Sequence, residues 1–302
     1  MIKLGIVGTG GMANAHAMAF KNINEVEIVA VCDVIEDRVR NFAKEYNINQ
    51  TFTSFDEMLE NCELDAISNV TPDSFHKEIA LKSLNKNKHI FSEKPLAENF
   101  PDAEEMYKAT LNTNCINMVN LSYRNSSGWQ SLSKMIQNNE LGPVRHVDAS
   151  YYQSWLTCKY WGDWKEEQKW LWRLSENHGS KGVLGDLGVH IFDFASYPVG
   201  KINKINCRLK TFKDKGEKIG EYILDANDSF VSMVEFENGA IGTVSSTRFA
   251  TGNVNKLDLK IYCDKGAVSM KFDDPIRLIA LACVACVFFL RLCTYITLRG
   301  TR

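Results

Sequence analysis

Neither sign of charge predominates in this chain of 302 residues: 35 Lys and Arg stand against 37 Asp and Glu. Without a basic excess there is no electrostatic footprint for nucleic acid or for an anionic membrane surface. A cysteine framework is missing too. The nine cysteines are odd in number and scattered, and several, such as Cys32 in EIVAVCD, sit inside apolar runs where they act as small hydrophobes. That usage fits a reducing cytoplasm and not a disulfide-stapled exported protein. The opening MIKLGIVG enters a strand at once, so no secretory leader is expected. Nor is there an apolar run of the roughly 20 residues that a bilayer crossing needs. What is present is ordinary for a globular protein, 45% hydrophobic and 24% charged. The length allows two domains, each with its own core.

The first half alternates. An apolar run, residues 2–7, leads into GTGGMA at 8–13 and a helix-like stretch through Phe20. Gly8, Gly10 and Ala13 fit the pattern G-x-G-x-x-G/A. Gly8 allows a tight turn, Gly10 lets backbone approach a pyrophosphate, and Ala13 lets helix and strand pack closely. Thr9, Gly11 and Met12 complete the loop, and the helix N-terminus offers free N–H groups to phosphates. The next strand ends in Asp33, where a carboxylate binds ribose hydroxyls and repels a 2′-phosphate, which favours NAD over NADP. The competing reading is a plain strand–turn–helix with an aspartate in a loop. Helices are expected at 35–46, 55–60, 74–85 and 99–113, and strands at 65–70, 89–92 and 115–121. The helix over 74–85 is expected to bury Phe75, Ile79, Leu81 and Leu84. This alternation predicts an α/β fold with a doubly wound parallel sheet. Ligands then bind beyond the carboxyl ends of the strands. That rule sets residues 8–13, Asp33, Thr71, Pro72, Glu93, Lys94 and Arg124 along one rim. Lys94 falls where the nicotinamide end of a dinucleotide would lie; a solvated lysine at a strand end is the alternative.

A boundary is expected near residue 123, with a second domain over 124–275. Strands are expected at 145–154, 202–212, 229–236, 240–249 and 256–272, with hairpin signals at 237–239 and 264–266. They predict an α/β domain with an open, mostly antiparallel sheet. Within it lies GVLGDLGVHIFDF, residues 182–194. Asp186 and His190 are four apart, on one face of a helix. A carboxylate beside an imidazole can orient it and raise its basicity for proton transfer. Two other readings stand beside this one: a capping aspartate with a core histidine, and a metal site with His178 as third ligand. The segment 151–175 is rich in aromatics, Tyr152 and Trp172 among them, with Arg173 close by. It suits either sugar stacking with carboxylate pairing or a small core of its own.

Together GIVGTGGMA, the Asp33 strand end, TPDSFH at 71–76, SEKPL at 92–96, LSYR at 121–124 and GDLGVHIFD at 185–193 resemble the Gfo/Idh/MocA family of oxidoreductases. The likeness runs from residue 1 to about 272. It implies a Rossmann domain, then an α/β domain whose open sheet forms oligomer contacts. It also implies hydride transfer between NAD and a sugar, cyclitol or sugar acid, with no metal. By that resemblance Lys94 contacts the nicotinamide and the reacting hydroxyl, Asp186 binds a substrate hydroxyl, and His190 takes the proton. Thr71, Pro72, His76 and Glu93 would line the cofactor, while Arg124, Tyr152 and Trp172 are substrate candidates. A rival within the same resemblance is a hydratase, epimerase or lyase that oxidises a sugar acid transiently and recycles its NAD. A further rival is an inactive NAD-binding product. The tail, 276–302, departs from the pattern. Its thirteen apolar residues Leu278–Leu290 and a CxxC at 283–286 predict a foreign ending, as from a frameshift, with a membrane or partner anchor as runner-up. The CxxC has no second pair and carries no metal or redox reading.

Overall fold

A computed structural model describes residues 1–272, 277–282 and 296–297; the CxxC at 283–286 and most of the apolar tail lie outside the described residues. The chain divides into two units, Met1–Asn120 and Leu121 onward.

In the first unit the elements run β1 (Ile2–Val7), α1 (Gly11–Lys21), β2 (Val26–Cys32), α2 (Glu36–Tyr46), β3 (Gln50–Phe52), α3 (Phe55–Asn61), β4 (Ala66–Asn69), α4 (His76–Asn85), β5 (His89–Ser92), α5 (Phe100–Thr110) and β6 (Asn117–Val119). The strands pair in parallel throughout, in the order β3-β2-β1-β4-β5-β6. Central strands are buried on both faces, as covered parallel sheets require: Leu4–Val7 of β1 are all buried, and in β4 even Ser68 and Asn69 are buried. Local chemistry sets the helix ends. Ser54 and Asn99 cap α3 and α5 by accepting from the backbone N–H of Glu57 and Asp102. Asn47, in the left-handed conformation, closes α2. One sequence expectation is corrected here. The buried stripe of α4 is His76, Ile79, Ala80, Ser83 and Leu84, while Phe75 is exposed. An imidazole takes the inward place because backbone carbonyls meet it there.

The second unit continues with α6 (Ser127–Gln137), β7 (Val144–Gln153), α7 (Gln168–Leu171), α8 (Val189–Val199), β8 (Ile202–Lys210), β9 (Lys218–Ile219), β10 (Tyr222–Ile223), β11 (Ser229–Phe236), β12 (Ile241–Thr247), β13 (Asn255–Cys263), β14 (Gly266–Lys271), β15 (Arg277–Ala282) and β16 (Ile296–Thr297). Eight strands form one sheet in the order β16-β15-β14-β13-β7-β12-β11-β8. Every pair is antiparallel except β7 with β12. One face packs on α6 and α8 around Trp129, Val147, Phe194, Phe230 and Leu259. The alternation of β11 turns Val231 and Met233 to the other, open face.

Candidate active site

The first unit builds its glycine loop from backbone. Gly8 has φ +89, and a Cβ there would lie 2.6 Å from the carbonyl oxygen of Val70, so only glycine fits. A Cβ on Gly10 or Gly11 would meet no heavy atom within 4 Å. Open space thus lies over the start of α1, whose Gly10 cap uses no side chain. The first N–H groups of that helix are left for an anion, and Ala13, fully buried, seats the helix on the sheet. At the end of β2, Asp33 Oδ2 accepts from the Thr9 N–H and the Thr9 hydroxyl, both at 2.8 Å, and Oδ1 accepts from the Ile35 N–H at 3.0 Å. Met12 is exposed beside this loop. These features fit a dinucleotide: open glycine backbone and a helix N-terminus for the pyrophosphate, and a strand-end carboxylate for the ribose.

Next along the rim, the Thr71 hydroxyl donates to Asn69 Oδ1 at 2.7 Å, and Pro72 follows, exposed. His76 is buried, with Nδ1 2.7 Å from the Pro95 carbonyl and Nε2 2.9 Å from the Thr71 carbonyl. Its ring therefore ties the loop after β4 to the loop after β5. Glu93 is buried beneath the second loop. Its Oε1 contacts His16 Nε2 at 2.9 Å and accepts from Asn120 Nδ2 at 2.6 Å, and its Oε2 accepts from the Lys94 N–H at 3.1 Å. The other His16 nitrogen meets the Ser68 hydroxyl at 2.8 Å. Burial pushes the Glu93 carboxyl up, but the bonds from His16, Asn120 and the Lys94 N–H outweigh it and hold the group below the usual glutamate range. Lys94 is half-buried directly after this anchored glutamate.

The second unit works with side chains. Asp186 lies in a single π-helical turn, Leu184–Gly188, that runs into α8, where His190 is the second residue. The expected regular α-helical face is thus replaced by a widened turn, which changes how the two side chains are disposed and is a frequent device at functional sites. Asp186 Oδ2 accepts from Arg248 Nη2 at 3.0 Å and lies 4.0 Å from Arg173 Nε. His190 packs edge-on against Tyr123, ring centroids 5.0 Å apart, with Tyr151 at 6.3 Å. The two tyrosine hydroxyls are 2.6 Å apart. Burial, first among the causes, pushes both phenols up, so they stay protonated at neutral pH. Neutral phenols and a buried guanidinium thus surround the carboxylate and the imidazole.

Other sequence candidates fall elsewhere. Arg124 lies in the second unit, in the short turn Ser122–Asn125, where its Nε donates to Asp193 Oδ2 at 2.9 Å, Nη2 pairs with Oδ1, and it stacks on Tyr197 at 4.3 Å. Tyr152 alternates to the open face of the sheet and meets the Ser245 hydroxyl at 3.0 Å, so Tyr151 and not Tyr152 shares the His190 face. Trp172 is exposed, with the Arg173 guanidinium 4.5 Å from its ring. Trp155 and Trp164 pack into a small core with Leu156, Leu171, Leu174 and Leu224. His178 sits against Tyr222, ring centroids 4.3 Å apart, and bonds Ser175. Among the described residues no cluster of three His, Cys, Asp or Glu could hold a metal.

His16, Asn120, Tyr123, Tyr151 and Arg248 were not singled out from sequence. Arg248 carried a usable signal: the inward alternation Val244, Ser246 along β12 extends to it, so a cation is placed on the buried side.

Comparison with known proteins bears on both units. A family model described as the oxidoreductase family, NAD-binding Rossmann fold, matches residues 2–121, and a GFO/IDH/MocA C-terminal domain model matches residues 129–269. Levoglucosan dehydrogenase of Pseudarthrobacter phenanthrenivorans is 24% identical over 295 residues, 90% of this chain and 74% of that protein. Glucose-6-phosphate 3-dehydrogenase of Bacillus subtilis is 30% identical over 230 residues, 74% of this chain and 63% of that protein. A solved structure of levoglucosan dehydrogenase in complex with NADH and L-sorbose superposes with a TM-score of 0.86 at 23% identity, over 99% of this chain and 80% of that one, which speaks to the fold. With an NAD-binding Rossmann unit followed by the matching C-terminal domain, the chain belongs to the Gfo/Idh/MocA family of oxidoreductases.

Proposed function

We propose that the protein is an NAD-dependent dehydrogenase acting on a hydroxyl of a sugar, cyclitol or sugar acid. The observation that carries this reading is the place of Lys94, just past the carboxyl end of β5, in a parallel sheet whose other strand ends bring Gly8–Gly11, Asp33 and Thr71 to the same rim. NAD, when bound, supplies the hydride acceptor. Lys94 then steadies the reacting oxygen, with its backbone fixed by Glu93. Asp186 binds a substrate hydroxyl and fixes its direction. His190 takes the hydroxyl proton as the hydride leaves the carbon, so the C–H and O–H bonds break and a carbonyl forms. Asp33 favours NAD over NADP, because a 2′-phosphate would face its charge. The dehydrogenases named above act on sugars, which supports the substrate class.

Arg173 favours a second reading. It lies 4.0 Å from Asp186 and is stacked 5.4 Å from Trp170 and 4.5 Å from Trp172, where it would suit an acidic sugar. On such a substrate a transient oxidation with recycled NAD would permit elimination, hydration or epimerisation. A second copy of the chain is the partner we expect, seated on the open sheet face that carries Val231, Met233, Ile241 and Tyr262. Among the described residues all six cysteines are unpaired, which suits a reducing cytoplasm, and no helix is long and apolar enough to cross a membrane.

Screening neutral sugars, cyclitols and sugar acids with NAD and NADP, while following absorbance of the reduced nicotinamide, tests the reading. NADH build-up with one class supports it. Conversion without build-up and with retained cofactor favours the recycling chemistry. No conversion of any of them would sink both.

A further inference from the structure

Arg248 follows the last residue of β12, and its side chain is fully buried. Nη2 donates to Asp186 Oδ2 at 3.0 Å and Nη1 to the Arg173 carbonyl at 3.0 Å, while the guanidinium lies 5.1 Å from the Trp155 ring centroid. Its Nε is buried and meets no hydrogen-bond acceptor among the described residues. Burial pulls its proton affinity down, and Asp186 leads the charges that oppose this. The second buried ion pair of the unit, Lys215 with Asp228, is built differently: Lys215 Nζ reaches both Asp228 oxygens at 2.6 and 2.7 Å, and Asp228 Oδ2 also accepts from the Phe212 N–H. That pair closes on itself. Arg248 instead leaves one donor unmet and spends its charge on one half-exposed carboxylate.

A buried guanidinium is a poor packing device. Replacing a whole buried ion pair by apolar side chains of similar volume is often neutral or stabilising, whereas removing one partner alone is costly. A fork with a missing bond is therefore not explained by the stability of this core, but it is explained by the carboxylate it holds. We propose that Arg248 is a positioning residue that keeps Asp186 aimed, and so sets the orientation of the substrate hydroxyl that Asp186 binds. The inference rests on the role given to Asp186 under the proposed function. The planar fork matters as well as the charge: Nη1 is pinned to the Arg173 carbonyl, so Nη2 has one direction in which to present its proton.

A double-mutant cycle on the full chain tests this, with Arg248→Met, Asp186→Asn and their combination. The assay uses NAD with whichever of levoglucosan, myo-inositol and glucose 6-phosphate is oxidised fastest. Arg248→Met is expected to lower kcat by on the order of 100-fold with little change in KM for NAD, the span of a strong charge-assisted hydrogen bond converted to rate. The double variant is expected to be no slower than Asp186→Asn, because both changes remove one device. Effects that multiply, or an Arg248→Met kcat within twofold of the parent, would overturn the inference. Should Arg248→Met not fold, Arg248→Lys keeps charge and bulk without the fork: about a tenfold fall in kcat supports the inference, and a parental kcat overturns it. A fully active Asp186→Asn would remove the underlying reading of the site, a result distinct from multiplying effects.

Discussion

The two units solve the placement of polar groups in opposite ways. In the first, the loop that opens α1 works through backbone, with a left-handed glycine against a carbonyl and an uncapped helix start, and side chains enter beneath it where a buried glutamate meets His16, Asn120 and the Lys94 N–H. In the second, side chains converge on Asp186 and His190, and a buried cation keeps a spare donor. Backbone geometry is shared by every sequence that can fold this way, so it suits a constant ligand. Side-chain sites can be retuned one residue at a time, so discrimination among substrates is expected to reside in the second unit.

Breaking one side of this contrast at a time gives graded outcomes. The largest is chemical: Lys94→Ala and His190→Ala should each lose about 10²- to 10⁴-fold in turnover. NADH binding, followed by fluorescence, should stay close to that of the parent; full activity in either variant would cancel its role. Next is Gly8→Ala, where the left-handed φ alone costs about 1–3 kcal/mol and the Val70 oxygen adds a clash. Urea unfolding should register the loss, and NADH titration should weaken with it. Asp33→Ala should shrink the preference for NAD over NADP by on the order of tenfold, the worth of about 1.4 kcal/mol; an unchanged ratio of kcat/KM values would remove Asp33 from cofactor choice. The smallest effect concerns acid. The folded Glu93 carboxyl titrates below its unfolded value, so its stabilisation is whole above the ordinary glutamate range and is lost as pH falls through the folded value. Glu93→Gln should flatten the acid limb of stability against pH; an unchanged slope would show the His16 contact to be incidental.

Much of the first unit was legible because its signals are local: a glycine loop, strand runs and helix caps lie within a few residues of one another. His16 was not, since its partners come from β4, from the loop after β5 and from the end of β6, and nothing in MANAHAMAF marks a histidine as joined to them. Phe75 and His76 were exchanged because hydrophobicity outranked the two carbonyls that await a donor. Tyr152 and Tyr151 differ by one residue, and one residue in a strand reverses the face. The π-turn at Asp186 has no period to betray it, whereas the strand parity that reaches Arg248 was there to be read.

The parallel pairing of β7 with β12 carries a consequence for biosynthesis. β7 is flanked by β12 and β13, both of which leave the ribosome roughly a hundred residues after it, so its partners are among the most distant in the chain. Until they arrive, a ten-residue strand with inward Val147, Ala149 and Tyr151 has two open hydrogen-bonding edges. In that interval α6 and α8 can already cover the inward side chains, but neither neighbouring strand has arrived to pair the edges, so a stalled nascent chain is a natural client for chaperones.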